Sequence, residues 1–128
     1  MRLLLDTHAL IWWLLGDEAL SAPAQTAIAD RSNDSFVSAA SAWEITTKYR
    51  IGKLPQAAFL VADVAGIAAG QGFTELPISM RHGQIAGSLP GIHKDPFDRI
   101  LVAQAIAEDM AIISIDAVLG AYGIVRLW

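Results

Sequence analysis

Short apolar runs alternate along this chain with longer stretches in which apolar residues recur at helical spacing. Residues 2–5 read as a strand, with a turn into helix after Asp6. Positions 10–15 are apolar on nearly every side, so that helix is buried or lies at an interface. Ser21 and Pro23 supply an N-cap and first turn for a helix reaching about residue 32. Asn33-Asp34 is a turn, 35–38 a short strand, and 40–51 a helix stopped near Gly52. Pro55 opens an Ala-rich helix to about 69, ended by Gly70 or Gly72. Residues 73–76 predict a third strand, 79–87 a short helix and 89–93 a loop. Asp95 and Pro96 begin the best-defined helix, which ends near Asp109. Residues 111–115 form a continuous apolar strand, buried on both faces, and 124–127 a last short strand. Strands alternating with helices predict an α/β fold with a mostly parallel sheet.

No linker, repeat or low-complexity stretch interrupts this order, so residues 1–128 read as a single domain. Hydrophobic residues make up 54% of the chain and mean hydropathy is +0.43. That excess predicts apolar surface covered by a partner or a second copy. A net charge of −4 argues against gripping nucleic acid by bulk positive charge. It leaves room for a nuclease whose acids hold metal and whose few basic residues act locally. The absence of cysteine excludes a disulfide frame and thiolate metal sites, and is compatible with a reducing cytoplasm, the expected location. The apolar start is broken by Asp6 and His8 and lacks a signal-peptide cleavage site. No run approaches the roughly 18 to 20 apolar residues of a membrane span. The best candidate, 57–69, contains Asp63.

Composition alone leaves the chemistry open, and four acids change that. Asp6, Glu44, Asp98 and Asp116 are scattered in sequence but fall at or just past predicted strand ends. A parallel sheet gathers the carboxyl ends of its strands at one edge, where ligands of such folds bind. Two like charges about 4 Å apart cost roughly 4 kcal/mol at an effective dielectric near 20. Such a cluster calls for protons or cations. Oxygen ligands suit Mg²⁺ or Mn²⁺, whose common chemistry is phosphoryl transfer or phosphodiester hydrolysis. Each acid also has a structural reading: helix caps for Asp6 and Asp116, a favourable place near a helix dipole for Asp98, and an i,i+4 pair with Lys48 for Glu44. A shared cation site explains all four together, with Asp95 left to capping. Lys48, Arg50 and Lys53 form either a solvated helix face or a short phosphate track beside the acids. Arg81 with His82, and His93 with Lys94, are weaker candidates of the same kind. The three histidines lack metal-ligand spacing, though His8 neighbours Asp6. Trp12, Trp13 and Trp43 read as core or interface anchors before base-stacking platforms. Ser114 and Thr7 are candidates to orient water or substrate through their hydroxyls, or to act as local caps.

The run Met1-Arg-Leu-Leu-Leu-Asp-Thr-His-Ala-Leu-Ile-Trp12 is followed by Ser41-Ala-Trp-Glu-Ile45 with Lys48 and Gly52-Lys-Leu54. Leu89-Pro, His93-Lys-Asp-Pro-Phe-Asp-Arg99 and Ala103-Gln-Ala105 come next, then Ser114-Ile-Asp116 and Tyr122-Gly123. Together, in this order, they resemble a PIN-domain ribonuclease, and most of all the VapC-type toxins of type II toxin–antitoxin systems. Many relatives carry Thr where this chain has Ser114, which keeps the hydroxyl. The resemblance implies a three-layer α/β/α sandwich and metal-dependent endonucleolytic cleavage of RNA. It implies that Asp6, Glu44, Asp98 and Asp116 form the Mg²⁺ or Mn²⁺ site, and that the chain is a homodimer blocked by a cognate antitoxin. The nearest competitors are a PIN nuclease that matures RNA without a toxin role, and a catalytically inert PIN-like interaction module. A haloacid-dehalogenase phosphatase needs an Asp two residues after the first, where this chain has His8. A receiver domain needs an acceptor Asp ending its middle strand, but the third strand here runs into Leu76-Pro77.

Overall fold

Five parallel strands form the sheet: β1 (Arg2–Leu5), β2 (Asp34–Ser38), β3 (Thr74–Leu76), β4 (Ala111–Ile113) and β5 (Arg126–Leu127). Their spatial order is β3-β2-β1-β4-β5. This computed structural model describes residues 1–91 and 95–128, and every strand pairing within them is parallel. Around the sheet lie α1 (Thr7–Leu15), α2 (Ala22–Ala29), α3 (Ala39–Arg50), α4 (Val64–Gly70), α5 (Met80–Ser88) and α6 (Pro96–Glu108). Short 3₁₀ turns occupy Pro55–Ala57 and Ala117–Tyr122.

The pleat sorts the strand residues into two cores, because successive side chains point to opposite faces. Leu3 and Leu5 of β1, with Val37 and Ile113, pack against residues of α1, α2 and α4. Leu4 and Ile112 pack the other way, against Leu101, Val102 and Ala105 of α6, with α5 laid over α6. The three-layer α/β/α arrangement follows. Helix α3 belongs to both sides: Ala40 enters the second core and Ile45 the first. It therefore contacts α1 and α6 together.

The chain builds outward from β1 to β2 and β3, then crosses back through α5 and α6 to place β4 on the other flank of β1. The direction of winding reverses between β1 and β4, which opens a crevice at their carboxyl ends.

Three expected elements differ. The helix over 55–69 is broken, because Asp63 N-caps a separate α4 by accepting from the Gly66 N–H at 2.8 Å. The helix expected to reach 32 ends at Ala29, where the Asp30 carboxylate instead accepts from the backbone and hydroxyl of Ser32. Strand β4 stops at Ile113, and Ile115 is 53% exposed rather than buried. Helix α1 is buried along one side through Leu10 and Ile11 and surfaces at Leu15. Part of the 89–93 loop, with His93 and Lys94, lies outside the described residues. No helix among the described residues is long and apolar enough to cross a membrane.

Candidate active site

The carboxyl end of β1 delivers Asp6 directly into the crevice. Its N–H continues the sheet by donating to Ile113 O at 3.0 Å. Its side chain N-caps α1, accepting from Ala9 N at 2.8 Å. The residue is only 7% exposed. Burial, with the Asp98 charge acting in the same direction, pushes its carboxyl up to about 6. A hydrogen bond from Ser114, the Ala9 N–H and the charge of His8 oppose that rise without cancelling it.

Ser114 lies at the end of β4, fully buried. Its hydroxyl serves Asp6 on one side and accepts from Asp116 N at 3.1 Å on the other. Strand β5 clamps it, through Ser114 N to Leu127 O at 3.3 Å and Arg126 Nη1 to Ser114 O at 2.9 Å. The Ser114 side chain, expected to meet substrate, is thus buried and bonded to protein partners on both sides. Asp116 follows it and caps the 3₁₀ turn at Val118 N, 3.0 Å away, from a half-exposed position.

Glu44 arrives from α3. Residues 41, 44 and 48 share one helix face, and that face is turned to the start of α1. Thr7 Oγ1 donates to Glu44 Oε1 at 2.5 Å and lies 3.1 Å from Ser41 Oγ. Glu44 Oε2 forms an ion pair with Lys48. Burial acts to lower the Lys48 pKa, but the bond and charge of Glu44, with Asp95 and Asp98 nearby, raise it above the ordinary lysine value. Ser41 is fully buried and was not singled out in the sequence; its place three residues before Glu44 was the available signal.

Asp98 sits half-buried in the first turn of α6. The cap belongs to Asp95, which accepts from Phe97 N at 2.9 Å and Asp98 N at 3.3 Å. Two further lysine-track candidates separate from Lys48. Arg50 and Lys53 are exposed, at and beyond the end of α3, and no ion pair joins them to the acids among the described residues. Arg81 is exposed on α5. His82 is only 2% exposed, donates from Nε2 to Glu108 Oε1 at 2.9 Å and accepts from Ser79 N at 2.9 Å. It fastens α5 to the far end of α6, so its reading as a phosphate contact is replaced by a structural one.

Among the described residues, no three His, Cys, Asp or Glu side chains stand close enough to hold a metal ion as they are placed. The donor chemistry nevertheless fits a hard divalent cation. The acids offer only oxygen, and Asp6 is a buried carboxylate whose pKa is raised chiefly by desolvation, a cost that a bound cation would offset. A cation would share this edge with Lys48, which meets the charge of Glu44.

The model of the PIN domain family matches residues 3–124. No curated protein sequence matches the chain. Solved structures similar to it include VapBC2 of Rickettsia felis bound to a promoter DNA fragment, with TM-score 0.70 and 13% identity over 98% of this chain and 97% of that one. VapBC-1 of nontypeable Haemophilus influenzae gives TM-score 0.65 and 12% identity, covering 98% and 96%. FitAcB of Neisseria gonorrhoeae gives 0.60 and 17%, covering 97% and 95%. At such identities these likenesses speak for the fold, and the family's own sequence pattern, running from β1 to the approach of β5, speaks for descent: the chain belongs to the PIN-domain family.

Proposed function

We propose that this chain is a metal-dependent endoribonuclease, a hydrolase of RNA phosphodiester bonds, and the toxin of a toxin–antitoxin pair. The observation that supports the reading is a PIN-family chain in which buried Asp6 at the end of β1 feels the charge of Asp98, while Thr7, next along the chain, bonds Glu44. Asp6, Glu44 and Asp98 would hold Mg²⁺ or Mn²⁺, with Asp116 completing the set. Such a cation supplies Lewis acidity toward the phosphate and its attacking water. The chain's own residues do the positioning. Ser114 fixes Asp6, Thr7 fixes one oxygen of Glu44, and Asp95 holds the first turn of α6 so that Asp98 stays at the edge. Lys48 offers a positive charge beside the acids, where a phosphate would approach.

Solved relatives of this fold are complexes of VapBC and FitAB pairs. They support a cognate antitoxin as partner, and the high apolar content supports a homodimer. The test is RNA cleavage mapping with and without Mn²⁺. We expect wild type to cut, EDTA to stop it, and Asp98→Asn to lower the rate by at least about 100-fold. Full activity of Asp98→Asn would remove the mechanism. A small antitoxin reading frame beside the gene, whose product inhibits cleavage, separates the toxin reading from an RNA-maturing PIN nuclease.

A further inference from the structure

Trp43 and Phe97 each immediately precede a candidate acid, Glu44 and Asp98. Their rings meet edge to face across the α3–α6 contact, with centroids 4.7 Å apart and planes at 73°. The other three tryptophans, Trp12, Trp13 and Trp128, pack against the core. Trp43 does not: it is 57% exposed. Contact with Phe97 holds an indole in place while leaving much of it open to solvent.

Cations flank this ring pair. Lys48 Nζ lies 5.8 Å from the centre of the Phe97 ring. Arg50, seven residues after Trp43, returns to the same face of α3 and is exposed. Between them Thr46 spends its hydroxyl on Ala42 O, 2.8 Å away, and adds no competing polar group. An open aromatic face with cations beside it is the combination by which unpaired nucleic acid is taken. A second copy of the chain suits the surface less well. A two-fold contact centred on the indole would bring exposed Arg50 toward its own counterpart.

We propose that Trp43, braced by Phe97, is a stacking subsite for an unpaired nucleobase beside the bond that is cut. This rests on the nuclease reading of the acid edge. In a duplex both faces of each base are already stacked, so the indole has no face to meet.

The test uses full-length wild type, Trp43→Ala and Trp43→Phe with one short mixed-sequence RNA, either unpaired or annealed to its complement. Three readouts are taken: the Kd for RNA in EDTA, the KM and kcat with Mn²⁺, and indole fluorescence during RNA titration. Trp43→Ala should raise Kd and KM for the unpaired strand about tenfold, the size of one lost base stack, with kcat nearly unchanged. Trp43→Phe should restore most of the affinity. Unpaired RNA should quench wild-type fluorescence more than that of Trp43→Phe, and wild type should prefer the unpaired strand to the duplex. Equal affinity of wild type and Trp43→Ala, or equal binding of unpaired and duplex RNA, would overturn the subsite. So would dissociation of a wild-type dimer in Trp43→Ala with RNA affinity retained, which would give this face to a second copy. If wild type cuts no RNA with Mn²⁺ but the quenching and the affinity loss persist, the nuclease reading fails and the subsite stands. Cleavage without either effect is the reverse case.

Discussion

Asp6 and Glu44 share one edge but have opposite consequences for stability. Asp6 has a carboxyl raised from 3.8 to about 6, chiefly by burial. The folded state thus binds its proton more tightly than the unfolded chain. Its contribution is fully present below about pH 4 and is lost as pH rises through about 6, a swing of roughly 3 kcal/mol. We expect metal-free wild type to lose stability over that window in urea titrations. Asp6→Asn should flatten the profile and be the more stable protein at neutral pH, because asparagine still caps α1. Glu44 already has its charge met by Lys48 and Thr7. Glu44→Gln leaves a partly buried lysine without its partner and should cost about 1–2 kcal/mol. Destabilisation by both substitutions at neutral pH would show that burial of Asp6 is not the strained feature. The place of Asp6 at the end of β1 was legible in the sequence, because strand ends are, whereas Glu44 falls inside α3 rather than at the end of β2. The Thr7–Glu44 bond was not, since it joins positions 37 apart and depends on how α3 lies across the sheet edge.

Among the elements, α4 shows where pattern reading stops. Residues 55–69 are rich in alanine and look continuous, yet the Asp63 carboxylate starts a new helix by bonding Gly66 N. The two residues are coupled, because a Cβ at position 66 would come within 2.1 Å of Asp63 Oδ2. In wild type, Gly66→Ala should displace the cap and cost up to about 1 kcal/mol. In an Asp63→Ala background the same change meets no carboxylate and should gain about 1 kcal/mol of helix propensity. A double-mutant cycle of melting temperatures reads the sign reversal, and simple additivity would refute the coupling. The other helices were legible to within a few residues, because Ser21, Ser79 and Asp95 mark their starts and each caps as its position suggests. A local competition between capping and continuation, as at Asp63, is settled by packing that periodicity does not contain.

At the scale of the whole molecule, the sheet separates the proposed acid site from the contacts that hold the far ends of the strands. The acids lie at the carboxyl ends of the strands. At the opposite ends Arg2 Nη1 donates to Glu108 O at 2.5 Å, and His82 bonds the Glu108 side chain. The parallel α/β order was legible from alternating runs, whereas the position of β4 beside β1 was not, because sequence order says nothing of which flank a returning strand takes. That position also sets a schedule. β1 is made well before its second neighbour, β4, and Ser114, which steadies Asp6, is gripped by the still later β5. A ribosome making this protein thus carries Asp6, Glu44 and Asp98 long before the sheet that aligns them can close. A chain stopped after Asp109 should cut no RNA in the mapping assay although it retains all three.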